Sequence, residues 1–113
     1  MKEFRVSLAN VDYTWNNKGY SLSEKGEYDA AITAYVEAIR LDPTFEEAWF
    51  NKGDILNRLG KYAEAVRALE KATELDPEDA AAWNKKGDTL NLLGCTAEAN
   101  AAFDKAKELK NKD

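Results

Sequence analysis

Residues 48–60 read AWFNKGDILNRLG. Ala48, Trp49, Ile55, Leu56 and Leu59 return at the three- and four-residue spacing of one helix face, so the stretch predicts an amphipathic helix. Gly60 supplies the backbone freedom that closes a helix and turns the chain. Downstream, YAEAVRALEKATEL (62–75) is rich in Ala, Leu and other strong helix formers, which predicts a second helix. Asp76-Pro77 ends it, because the residue before a proline is pushed out of helical geometry. The unit is a helical hairpin.

That unit occurs three times. Trp15, Trp49 and Trp83 stand 34 residues apart, and so do Gly19, Gly53 and Gly87. Leu22, Leu56 and Leu90 keep the same interval, as do Gly26, Gly60 and Gly94 and three further columns of Ala and Leu. Self-similarity at a fixed period is the signature of a repeat architecture. The copies are 12–45, 46–79 and 80–113, after an N-terminal extension of residues 1–11. In that extension Phe4, Val6 and Leu8 alternate as in an extended segment, while Phe4, Leu8 and Val11 suit a helical turn. Over so short a stretch periodicity does not choose between them, nor between a tail packed on the first hairpin and an arm to a neighbouring subunit.

Glycine in mid-helix costs roughly 1 kcal/mol relative to alanine. Gly19, Gly53 and Gly87 therefore imply close approach of the partner helix, whose Ala31, Ala65 and Ala99 are equally small. The tryptophans are expected to be core, as are Tyr35, Leu69 and Phe103, which would fill the space between adjacent hairpins. One hairpin cannot bury its apolar face alone, so the fold expected is an all-α solenoid of stacked hairpins. On the second helices, Tyr28 and Tyr62 give way to Thr96, Ile32 and Val66 to Asn100, and Ile39 and Thr73 to Lys107. These columns share one helix face, so the third copy is expected to present a polar outer face that ends the array, with no separate capping helix.

The run W-x-x-K-G-x-x-L, followed by A-x-x-x-[YLF], a further Ala and D-P, resembles the tetratricopeptide-repeat (TPR) pattern over residues 12–113. Lys18, Lys52 and Lys86 depart from it, standing where an apolar residue usually precedes the glycine. Leu22, Leu56 and Leu90 stand where the family often has Tyr. Neither departure disturbs the fold. The resemblance implies a right-handed superhelix whose first helices line a concave face that holds peptides. The candidates on that face are Asn16, Asn17, Tyr20 and Glu24 in the first copy. The second copy contributes Glu47, Phe50, Asn51, Asp54, Asn57 and Arg58, and the third Asn84, Lys85, Asp88 and Asn91. Asn can pair with a peptide backbone as donor and acceptor together. Asn17 with Asn51, and Asn57 with Asn91, are equivalent positions and would form a partial ladder. Tyr20 and Phe50 offer apolar contact area.

A subtype of the family clamps chaperone C-termini with basic residues and Asn. Here Asn51 and Lys85 match that pattern, whereas Asn16, Tyr20 and Ala81 do not. Glu24, Glu47, Asp54 and Asp88 outweigh Arg58 and Lys85, which points to a neutral or basic peptide from another protein. The alternative is a self-association module that makes a homo-oligomer and leaves the groove idle. A regulatory subunit of an enzyme held elsewhere would differ only in the identity of the partner.

The chain has 113 residues, a net charge of −5, no histidine and one cysteine. Clustered Lys and Arg for nucleic acid are missing, as is any apolar run long enough for a membrane span or a signal. Without histidine the commonest general base and metal ligand is lacking, and Ser7, Ser21 and Ser23 have no base to activate them. No zinc, phosphate-loop or calcium pattern is present. Catalysis, cofactors and metals are therefore not expected. Carboxylates such as Glu46, Glu47, Glu78 and Asp79 suit helix N-termini. Cys95 is expected to be exposed and incidental, and a lone cysteine fits a reducing, cytoplasmic setting.

Overall fold

The computed structural model describes residues 11–112. Six helices follow one another: α1 Val11–Glu24, α2 Tyr28–Leu41, α3 Glu46–Arg58, α4 Tyr62–Leu75, α5 Ala80–Leu92 and α6 Thr96–Lys110. There are no strands among the described residues, and no helix is long and apolar enough to cross a membrane. Packing is most extensive within the pairs α1–α2, α3–α4 and α5–α6, and then between α2 and α3 and between α4 and α5. Lighter contacts join α1 to α3 and α3 to α5. The result is a stack of three hairpins measuring 52 × 33 × 19 Å. The segment 1–10, with the expected tail or arm, lies outside the described residues.

Each hairpin turns on its second glycine. Gly60 has φ +80°, a left-handed geometry that any Cβ would strain. That geometry lets the Lys61 N–H return to the Leu56 carbonyl at 2.9 Å, satisfying one of the orphaned carbonyls at the end of α3. Between hairpins, Asp42 and Asp76 leave helical geometry ahead of their prolines, with φ −144° and −137°. Their carboxylates then accept from the backbone two residues on, at Thr44 (3.0 Å) and Glu78 (3.2 Å), the local bonding that makes Asp a turn residue.

Trp49 and Trp83 lie across these turns, and all three tryptophans are half-buried, which corrects their expected place in the core. The Trp49 indole N–H donates to the Pro43 carbonyl at 2.9 Å, and Trp83 donates to Pro77 at 2.8 Å. An indole offers a large apolar surface with one polar edge, and here the edge ties α3 and α5 to the turns that precede them. The fully buried core is instead Ala-rich, with Tyr35 and Leu69 its largest enclosed apolar side chains.

The helix glycines make room for these large residues, not for the alanines alone. A Cβ on Gly19 would lie 2.6 Å from the Tyr35 ring, on Gly53 2.8 Å from Leu69 Cγ, and on Gly87 2.6 Å from the Phe103 ring. Tyr35, Leu69 and Phe103 thus pack first into their own hairpin, where the missing Cβ leaves a notch. Tyr35 also reaches Ile55 of the next hairpin. Contacts between hairpins otherwise run through Ile32, which packs against the cluster of Leu56, Ala65 and Ala68, and through Val66 against Leu90. On α6 the equivalent face carries Thr96, Asn100 and Lys107, all exposed. Cys95 is half-buried against Val66, Leu90 and Ala99 and is not the exposed thiol expected, because the turn after Gly94 aims it inward.

Candidate functional site

The inner face is made by α1, α3 and α5, whose candidate side chains form two polar links across the stack. The first joins α1 to α3. Asn16 is only 3% exposed, so it underlies the groove and does not face a ligand. Its Nδ2 donates to Glu47 Oε1 at 3.3 Å, and its Oδ1 accepts from Asn51 Nδ2 at 3.2 Å. A buried amide must find partners, and these two orient Asn51 while leaving Asn51 a second N–H for a ligand.

The second link joins α3 to α5. Asp54 Oδ1 lies 3.1 Å from Lys85 Nζ, and Asp54 Oδ2 lies 3.4 Å from Arg58 Nε. Arg58 is further held by the Tyr28 hydroxyl and then by Asp54, which together raise its pKa above the ordinary arginine value. Both cations expected on the groove therefore sit on one carboxylate. The acidic groups Glu24, Glu47 and Asp88 are exposed.

Between α1, α2 and α3 the face deepens into a cavity of about 250 Å³ lined by Tyr20, Ser23, Glu24, Tyr35, Phe50, Asn51, Asp54, Ile55 and Arg58. Tyr20 is 56% exposed at the mouth. Tyr35, on the second helix, is expected from the sequence as core and not as a groove residue, yet it lines this cavity. Its signal was present: among Tyr35, Leu69 and Phe103 it alone carries a polar tip, and its burial raises the phenol pKa.

The other candidates scatter. Asn17, Asp88 and Asn91 are exposed, and Asn84 is half-buried. Asn57 does not continue a ladder with Asn91, since its Oδ1 is enclosed and has no hydrogen-bond partner among the described residues. The two sit at equivalent places in sequence, but only the second hairpin has another packed on that side.

One group at the helix starts does more than favour the macrodipole. Asp79 accepts from the Ala81 and Ala82 N–H groups at 3.1 and 3.4 Å and caps α5. Oxygens of Glu46, Asp76 and Asp79 all come within 4.8 Å of one another. Burial, a hydrogen bond with Asp79 and the charges of Asp79, Asp76 and Glu47 push the Glu46 carboxyl up to about 8. The reciprocal position in the preceding turn is Phe45, which packs edge-on against Tyr13 at 4.9 Å.

A family model described as TPR repeat matches residues 19–56 and 53–94, and one described as tetratricopeptide repeat matches 80–113. The chain belongs to the tetratricopeptide-repeat family. Among solved structures, the first TPR of Spaghetti (RPAP3) bound to HSP90 peptide SRMEEVD has a TM-score of 0.88 at 24% identity, covering 92% of this chain and 82% of that one. The second TPR of the same protein, bound to the same peptide, has a TM-score of 0.87 at 24% identity, covering 91% and 97%. A crystal structure of MamA has a TM-score of 0.88 at 26% identity, covering 91% of this chain and 60% of that one. This chain thus spans three-fifths of that MamA chain. No curated protein matches the sequence. At such identities the likeness to the RPAP3 domains is one of fold.

Proposed function

We propose that the chain is a protein-interaction scaffold whose concave face takes a neutral or basic segment of a partner protein. The observation that carries this reading is the state of the groove's charges. Lys85 and Arg58 are both engaged by Asp54, while Glu24, Glu47 and Asp88 remain exposed. An incoming carboxylate would have to displace Asp54 and would meet this acidic rim. A lysine or arginine would find carboxylates that form no ion pair among the described residues, although Glu47 accepts from Asn16. Asn51, oriented by Asn16, is placed to pair with the ligand backbone, and the cavity between Tyr20 and Phe50, which Glu24 and Asp54 also line, accepts one side chain with an apolar stem and a polar or basic tip. The RPAP3 domains carry a bound HSP90 peptide on the same fold, which supports the use of such a stack for peptides. The residues SRMEEVD are acidic toward the C-terminus, and the groove described here is not charged to match them.

Fluorescence anisotropy with two labelled peptides of equal length tests the reading, one basic and one acidic. Tighter binding of the basic peptide, lost in Asn51→Ala/Asp88→Asn with the circular dichroism unchanged, is the expected result. Tighter binding of the acidic peptide would overturn it. Leu92 and Leu93, 56% and 41% exposed beside the last turn, favour self-association as the second reading. A mass that rises with concentration and reverts in Leu92→Ser/Leu93→Ser would establish that instead.

A further inference from the structure

On the first helices, the stripe opposite the groove is also periodic. Helical residues advance about 100° each, so Trp49, Lys52 and Leu56 point nearly away from Asn51, Asp54 and Arg58. In all three hairpins the lysine lies over its tryptophan: Lys18 Nζ is 5.1 Å from the Trp15 ring centre, Lys52 5.6 Å from Trp49 and Lys86 5.0 Å from Trp83. Each pair forms one wall of an open cavity closed by the second helix of the same hairpin. The three cavities measure about 440, 200 and 340 Å³ in chain order. They have equivalent walls, with Leu22, Leu56 or Leu90 beside the indole and Ala34, Ala68 or Ala102 opposite.

The charge of this row opposes that of the protein. The chain carries −5 overall, yet the three lysines are joined here by Arg67 and Lys105, and the acidic groups lining these cavities among the described residues are Glu64 and Glu98. Lys105 is shared with Glu108 at 3.8 Å. An ammonium on an indole face keeps its remaining N–H donors turned outward. A carboxylate can therefore add to each lysine without breaking the stack beneath it. Packed helices lie roughly 10 Å apart, a distance that about three residues of chain cover in the polyproline II form, whose three-residue turn keeps every third side chain on one face.

From this row we infer a second docking surface, for an extended acidic segment of a partner protein with a carboxylate about every third residue and apolar side chains in the Trp-walled cavities. It is distinct from the groove and takes the opposite charge. It does not depend on the groove being used.

The chain's three tryptophans all lie on this row, so their fluorescence reports it directly. The probe is the peptide (Glu-Leu-Ser)₄, with (Lys-Leu-Ser)₄ as its control. The acidic peptide is expected to change the emission saturably, with affinity falling as salt rises. Lys18→Gln/Lys52→Gln/Lys86→Gln is expected to weaken binding about tenfold with helicity unchanged, while Asn51→Ala/Asp88→Asn leaves it intact. No saturable change, equal binding of the lysine peptide, or a triple variant that binds like wild type would overturn the inference. So would loss of binding in the groove variant. A concentration-dependent mass abolished by the triple variant would replace the acidic segment with a second copy of the chain.

Discussion

Asp54 on α3 holds Lys85 of the next hairpin at 3.1 Å, and the same carboxylate holds Arg58 one turn along its own helix. One side chain thus ties two hairpins together and engages both groove cations, offsetting one of their two charges. Removing it should change binding more than stability, because the partners are partly solvated and exposed ion pairs are worth about 1 kcal/mol or less. Asp54→Asn is expected to lower stability in urea by under about 1 kcal/mol. It should also shift the groove's preference toward acidic peptides, read by anisotropy with the basic and acidic pair.

Gly53→Ala sets two effects against each other. Alanine favours the helix by roughly 1 kcal/mol, but its Cβ would stand 2.8 Å from Leu69 Cγ, a branched atom that is fully buried. Overpacking of this kind costs about 1–3 kcal/mol. Net destabilisation of about 1 kcal/mol is expected by urea denaturation; a more stable variant would mean that Leu69 moves freely.

Glu46 should make stability fall as pH rises. Its carboxyl ionises near 4.5 when unfolded and is pushed up to about 8 in the fold. Between those values the folded state binds the extra proton, so its advantage is complete below about 4.5 and lost as pH passes 8. The shifted carboxyls Glu37 and Asp42 are lowered, by Arg40 and Thr44 respectively, so they act below this window. With no histidine to titrate within it, the slope is expected to belong largely to Glu46. A loss on the order of 1–2 kcal/mol from pH 5 to 8, after allowing for screening, is expected by thermal melts. Glu46→Gln should flatten the curve.

Trp83→Phe keeps most of the ring and removes the N–H that reaches Pro77 at 2.8 Å. A cost of about 0.5–1.5 kcal/mol is expected. Amide exchange should quicken around 77–80 before it does in α6, since the lost bond anchors the turn.

The residues themselves determined the repeat, the six helices and their ends. Those are local matters: an apolar stripe, a glycine that must turn, an aspartate before a proline. They also indicated a groove of mixed Asn and carboxylate character. Only the tertiary structure decided which of those groups is free. Asn16 and Asn51 look alike in sequence, yet Asn16 lies beneath Asn51 because α1 and α3 close over it. Lys85 reads as a carboxylate ligand until α5 brings it to Asp54. Tryptophan at a fixed period reads as core, but its indole N–H reaches a turn carbonyl six residues back and holds the ring at the edge. In each case the partner lies on another element or across a turn, and a periodic pattern records which face a residue occupies but not what meets it there.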